Sequence, residues 1–283
     1  MNKTDQPTGV LYIVPTPIGN LEDITLRAIR ILKEVDFIAA EDTRHTKKLL
    51  NHFGIKTKLI SYYREKEIER TVTIIKKLHE GLNIALVSDA GTPGISDPGA
   101  VVVQKAHEEG IKVVPLPGAS AITTALSASG IVEPGFLFLG FPACKKGQRK
   151  KQITAIKNSH YPVVFYESPH RIAGLLGDCL EILGDREVFW ARELTKTYED
   201  LQKAKVSQLL QNIKNTKVRG EFVITILPEL QEEVKGENIE EMLIWYRDES
   251  GLSLKDASKK LAADLGFSRS SIYQQALSIW NKK

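Results

Sequence analysis

The feature that most restricts this chain is a unit repeated from Val10 to about Gly130: a short apolar run, a turn, then a helical stretch. The predicted strands are Val10–Val14, Asp36–Ala40, Lys58–Ile60, Asn83–Ser88 and Ile111–Leu116. The predicted helices are Ile24–Glu34, Thr43–Phe53, Glu67–Glu80, Pro98–Glu109 and Ala119–Ser129. Strands alternating with helices of 10–15 residues indicate βαβ units and a largely parallel sheet. The runs are apolar without alternation, as in strands covered on both faces.

The pattern changes after Gly130. Phe136–Gly140, Tyr161–Tyr166, Glu187–Arg192 and Glu221–Leu227 read as strands, with helices over Arg171–Leu183 and Val206–Lys214. Gly130, Pro134 and Gly135 punctuate a domain boundary. The expected domains are therefore 1–132 and 133–229, both α/β, followed by an acidic linker at Leu230–Gly236 and a helical extension over 237–283. Three helices are expected there, Asn238–Glu249, Ser253–Leu265 and Ser268–Ile279, the last two opened by serine caps. That pair resembles a helix-turn-helix unit.

A length of 283 residues accommodates these domains, and 42% hydrophobic with 26% charged residues is the balance of a folded soluble protein. No apolar run approaches the ~18 residues of a membrane helix, and the first nine residues carry no secretory h-region. Two cysteines, Cys144 and Cys179, make no disulfide framework or CxxC motif, and fit a reducing cytoplasm. No metal is indicated, because HExxH and His/Cys clusters are missing.

Chemistry concentrates where strands end, the edge at which open α/β sheets bind ligands. The first strand runs into PTPIGN, Pro15 to Asn20, and the fourth into SDAGTPGISDPG, Ser88 to Gly99. Three glycines, two prolines and two aspartates in twelve residues suit a stiff loop that lets backbone approach a ligand. It is neither GxGxxG nor a P-loop, which argues against nicotinamide enzymes and P-loop nucleotidases. PLPGASA, Pro115 to Ala121, opens a helix with small residues whose free N–H groups can meet a ligand. EDTRHT (Glu41–Thr46), YESPHR (Tyr166–Arg171) and RELTKTYED (Arg192–Asp200) follow other strands. Between Glu133 and Glu167 the chain has no acid, while Lys145, Lys146, Arg149, Lys150, Lys151 and Lys157 form a basic stretch, read as a loop that steers an anionic polymer.

In this order, LYIVPTPIGNLEDIT, AEDTRHTKKLL, LVSDAGTPGISDPG, PLPGASA, FYESPHR and ARELTKTYE resemble the tetrapyrrole methylase superfamily, over roughly residues 8–280. Within it they are similar to the branch that methylates a cytidine 2′-hydroxyl of 16S rRNA. The resemblance implies two α/β domains with a cleft that holds S-adenosylmethionine, a homodimer, and 16S rRNA in the decoding centre of the 30S subunit as partner, while the short apolar runs lead us to expect no membrane association. It assigns the cofactor to Pro17, Ala90, Gly91, Thr92, Ile95, Ser120, Ala121, Glu167 and Leu194. Porphyrin-methylating relatives carry a GGD turn where this chain has Ala90-Gly91-Thr92, in keeping with the RNA branch.

A ribose hydroxyl is a weak nucleophile and needs a positioned base or a polarising cation. Asp42 and Glu167, or Arg44 and Lys196, are the candidates, and the sequence leaves the choice open. Lys145, Lys146, Arg149, Lys150, Lys151 and Arg269 are the expected RNA contacts. Two rival readings are methylation of a tetrapyrrole or protein-borne group, and a helix-turn-helix regulator with an α/β effector domain. The second leaves the strand-end loops unexplained.

Overall fold

The computed structural model describes residues 7–132, 135–214, 219–229, 236–265 and 267–280. The first half alternates β1 (Leu11–Ile13), α1 (Leu26–Glu34), β2 (Phe37–Ala40), α2 (Thr43–His52), β3 (Lys58–Ser61), α3 (Glu67–His79), β4 (Ile84–Val87), α4 (Ala100–Glu108), β5 (Val113–Pro115) and α5 (Ala121–Ala128). All five strands are parallel, in the order β3-β2-β4-β1-β5. The apolar runs do not alternate because both faces are covered. In β4, Ile84 and Leu86 pack with Ile74, Leu78 and Val102, while Ala85 and Val87 pack with Ala28, Leu32 and Leu50. Fully burying each larger apolar side chain contributes about 1.5–3 kcal/mol. The connection from β1 to β2 passes β4, and that from β4 to β5 passes β1. The loops leaving these adjacent strands thus face each other at a topological switch point.

The second half contains β6 (Leu137–Phe138), α6 (Lys146–Ala155), β7 (Val163–Glu167), α7 (Ile172–Leu183), β8 (Glu187–Arg192), β9 (Asp200–Lys205), α8 (Val206–Lys214) and β10 (Phe222–Ile226). Its mixed sheet has the order β6-β7-β10-β8-β9, with only β6 and β7 parallel. Ile172, Leu175, Leu176, Cys179 and Leu183 form one apolar stripe of α7 and bury against Phe165, Trp190 and Ile224. The opposite face, through Val164, Phe189, Ala191 and Val223, takes Ile122 and Ala125 of α5. That helix joins the halves into one compact unit ending at Pro228.

Two elements depart from the sequence reading. The Asp200–Lys205 stretch is an edge strand, and the basic stretch is a helix. In α6 the side chains facing inward are Arg149 and Ile153. Arg149 Nε donates to Asp178 Oδ2 at 2.7 Å, with the two side chains 10% and 5% exposed. Arg149 therefore holds α6 on α7 and is not available to RNA. Lys150 of α6 likewise pairs with Glu181 of α7. Lys145, Lys146 and Lys151 are exposed.

The C-terminal unit comprises α9 (Gly236–Asp248), α10 (Leu254–Leu265) and α11 (Arg269–Trp280). Leu243, Ala257, Leu261, Ile272, Ala276 and Ile279 form its own core. The expected serine caps are present: Asp256 N–H donates to Ser253 Oγ and Ser271 N–H to Ser268 Oγ, both at 3.2 Å. The proposed boundary residue Pro134 and linker residues 230–235 lie outside the described residues. Among the described residues, no helix is long and apolar enough to cross a membrane.

Asp178→Ala leaves a buried guanidinium unpaired, so it should lower stability by about 3–5 kcal/mol. Lys150→Ala, at a partly exposed pair, should cost under about 1 kcal/mol. Urea unfolding of the two variants checks this, and equal small losses would contradict the structural role of Arg149.

Candidate active site

Three strand-end loops of the first half are tied together by backbone. Thr16 and Gly91 exchange two N–H···O bonds of 2.9 Å, which join the loops after β1 and β4. Thr16 Oγ1 also donates to the Ser88 carbonyl at 3.0 Å. Thr92 Oγ1 donates to the Ala119 carbonyl at 3.0 Å and brings in the loop after β5. Gly91 has φ +82°, where a side chain is strained, and a Cβ there would point at Ile18 and Ala119.

The loop after β8 reaches these from the second half. Glu193 (φ 51°) and Thr195 (φ 65°) are its two left-handed non-glycine residues. Such positions cost on the order of 1–3 kcal/mol each and persist only when their surroundings fix them. Here Glu193 Oε1 accepts from Lys196 Nζ at 2.7 Å and from Glu221 N–H at 3.1 Å, and Glu199 accepts from Thr195 N–H at 2.7 Å. The result is a tight turn that buries Leu194 against Ala191 and Val223. The first-half loop approaches it so closely that a Cβ on Gly19 would stand 2.5 Å from Lys196 Cγ and 2.8 Å from the Leu194 carbonyl oxygen.

Between these loops lies a cavity of about 290 Å³, close to the lower end of small-molecule sites. Ile18, Ile95, Leu194, Phe222 and Val223 give it an apolar wall. Of the described side chains lining it, six are carboxylates (Glu41, Asp89, Asp97, Glu167, Glu193, Glu221) and Lys196 is the one cation. Burial, with Asp97 and Asp89 alongside, pushes the Glu41 carboxyl up to about 7. Burial also raises Asp97 and Glu167. Glu167 Oε1 accepts from Ser168 N–H at 2.8 Å and lies 3.5 Å from Arg171 Nε, whereas its buried Oε2 has no hydrogen-bond partner. Burial alone would lower Lys196, but its bond to Glu193 and the charge of Glu221 outweigh this and raise it. Lys196 is therefore a fixed cation rather than a proton acceptor.

Of the residues expected from the sequence, Ala90, Gly91, Thr92, Ile95, Ser120, Ala121, Glu167, Leu194 and Lys196 line this cavity. Pro17 does not, although it sits between Thr16, which bonds Gly91, and Ile18, which lines it. Asp42 and Arg44 do not line it either. Asp42 caps α2, accepting from the N–H groups of Arg44 and His45, and pairs with the 91% exposed Arg44 side chain. Those bonds from Arg44 hold the Asp42 carboxyl below the usual range. The carboxylate that enters the cavity is its neighbour Glu41. An aspartate directly before a helical run is an N-cap signature, a signal that separates the two acids. Asp89, Tyr166 and Glu193 belong to segments singled out in the sequence, though not as individual residues; Asp97, which its place before Pro98 marks as a helix cap, lines the cavity instead, and Gly99 takes the cap position of α4. Phe141 and Glu221 carried no motif. Arg269 opens α11 of the C-terminal unit.

A parallel five-stranded sheet and a mixed five-stranded sheet, with a cavity between their strand-end loops, define a two-sheet α/β protein with a site sized for a small molecule. Residues 10–210 match the tetrapyrrole (corrin/porphyrin) methylases, and the chain belongs to this family. It is 46% identical to ribosomal RNA small subunit methyltransferase I of Halalkalibacterium halodurans over 94% of this chain and 93% of that protein. It is 50% identical to the Vibrio cholerae protein of the same name over 80% of each. Among solved structures it superposes on diphthine synthase with a TM-score of 0.62 at 15% identity, covering 78% of this chain and 90% of that one. For cobalt precorrin-4 methyltransferase the TM-score is 0.59 at 15% identity, covering 77% and 94%.

Methyltransferases of this family use S-adenosylmethionine. The residues here fit it. A cavity with six carboxylates against one ammonium suits a ligand that carries a sulfonium and an ammonium against a single carboxylate. The unpartnered Glu167 Oε2 offers a buried acceptor, and Ile18, Leu194 and Val223 offer apolar surface. Gly91→Val would place a β-branched side chain at φ +82° beside Ile18. A loop that distorts to relieve a strain on the order of 1–3 kcal/mol loses its fit to the ligand, so S-adenosylmethionine affinity should fall by about fivefold to 150-fold. Calorimetric titration of the folded variant checks this, and unchanged affinity would contradict it.

Proposed function

We propose that this chain is an S-adenosylmethionine-dependent methyltransferase of small-subunit ribosomal RNA that modifies the 2′-hydroxyl of a cytidine in the decoding centre of 16S rRNA. It acts on the 30S subunit in the cytoplasm, as a homodimer. The observation that carries the rRNA assignment is the match, over 80–98% of their length, to relatives at 41–50% identity whose names state that substrate. The 2′-hydroxyl and the cytidine rest on the likeness of AEDTRHTKKLL, FYESPHR and ARELTKTYE to that branch.

The cofactor, when bound, supplies an electrophilic methyl group on sulfur. The protein has to hold the nucleotide, take its proton and keep its phosphates out of an acidic cavity. Glu41 is the group suited to the proton, because burial beside Asp97 and Asp89 sets its carboxyl near neutral pH. The sign follows from its role. The accepting form is the carboxylate, so kcat/KM for S-adenosylmethionine, which reports the free enzyme, should climb between pH 6 and 8, whereas an ordinary glutamate would already be ionised at pH 6. Glu41→Gln should flatten that rise and lower kcat by about 10²–10⁴. A variant with the parent's pH profile would assign the proton to another group.

Exposed Lys145, Lys146 and Lys151 on and beside α6 supply phosphate contacts outside the cavity. Changing all three to glutamine should reduce the slope of log affinity against log salt for 30S subunits by up to about 3, with cofactor affinity unchanged. An unaltered slope would make them solvated surface charges.

The function itself is tested by tritium transfer from labelled S-adenosylmethionine to undermodified 30S subunits, followed by digestion to nucleosides. The expected product is labelled 2′-O-methylcytidine. Label on a base, or in another nucleoside, would overturn the assignment.

A further inference from the structure

Phe141 is one of two half-exposed hydrophobic side chains lining the cavity, 53% exposed beside 54% for Ile95, and it is the aromatic one. The loop beneath it is firmly held. Gly140, at φ +64°, turns the chain out of β6, and its carbonyl accepts from Tyr166 N–H at 3.0 Å. Arg171 donates to the Pro142 carbonyl, and Ala143 N–H donates to Gln152 Oε1 at 2.8 Å. The Phe141 ring meets Tyr166 edge to face, with centroids 5.6 Å apart at 63°. Tyr166 in turn meets the Phe138 ring at 4.9 Å and packs in one cluster with Ile122 and Val164. Loops of both halves converge here, since a Cβ on Gly140 would stand 3.7 Å from Ser96 Oγ.

An apolar ring held rigidly half in water at the edge of a cavity is a binding surface held ready. Charge says what it binds. The carboxylates inside repel phosphate, while exposed Lys145 and Lys146 follow Phe141 within five residues and open α6, whose N-terminus adds positive potential. A polyanion can lie along the lysines and insert an uncharged base toward the cavity. Aromatic platforms beside cationic tracks hold single-stranded nucleic acid in this way. We propose that Phe141 is the stacking platform for the base of the nucleotide being methylated, a positioning role that rests on the RNA assignment above.

The test compares Phe141→Ala, Phe141→Leu and Phe141→Trp with the parent in methyl transfer to undermodified 30S subunits. Cofactor titration and sedimentation are run on each protein. The Ala and Leu variants should lose about tenfold to a hundredfold in kcat/KM for 30S. The Trp variant should stay within about threefold of the parent, because it restores a π-face. Cofactor affinity and assembly state should be unchanged in all. Full activity in Phe141→Leu would overturn the proposal in favour of simple apolar filling. A parallel fall in cofactor affinity would make the ring a platform for the cofactor's adenine, and a smaller assembly would make it a contact between copies. An inactive parent would overturn the RNA assignment and the stacking role together. An active parent with indifferent variants would overturn the stacking role alone.

Discussion

The paired backbone bonds between Thr16 and Gly91 are the constraint on which the site depends. They fasten the loops of two strands whose connections run in opposite directions, so an edge that would otherwise gape becomes one rigid wall. The Thr92 bond to Ala119 extends that wall to the third loop. The left-handed turn at Glu193–Thr195 supplies the opposite wall, and the bare Gly19 backbone lets the two approach. Backbone fixes this geometry, so the side chains lining the cavity are free to be chosen for charge.

That charge is divided in space. Six carboxylates gather inside around one fixed ammonium, and burial drives several of them toward their neutral forms. A cationic ligand relieves this crowding, so repulsion among the acids becomes binding energy for a methyl donor. The exposed lysines lie outside the cavity, on and beside α6. The Arg149–Asp178 pair seats α6 on α7, so a cation expected to contact RNA instead positions the helix that carries Lys146 and Lys151.

Much of this was legible in the sequence because the physics is local. Runs such as Ile84–Val87 are buried on both faces and show no polar interruption, so the parallel sheet declared itself. The Ser88–Gly99 loop was visible because glycine and proline answer to backbone needs. The Asp200–Lys205 stretch was not, since an edge strand with half-exposed side chains reads as polar coil. The stretch after Lys145 hid a helix because its inner face carries Arg149 in place of a hydrophobe. Glu41 and Asp42 are adjacent and chemically alike. Only the helix that Asp42 caps decides which one enters the cavity.

Amide hydrogen exchange with and without S-adenosylmethionine tests most directly whether loops of both halves form one cofactor site. The expected result is slowed exchange at 88–99, 117–122 and 191–196 together, saturating at the same ligand concentration. Protection confined to the first two segments, with 191–196 unchanged, would contradict a cofactor held between the two sheets.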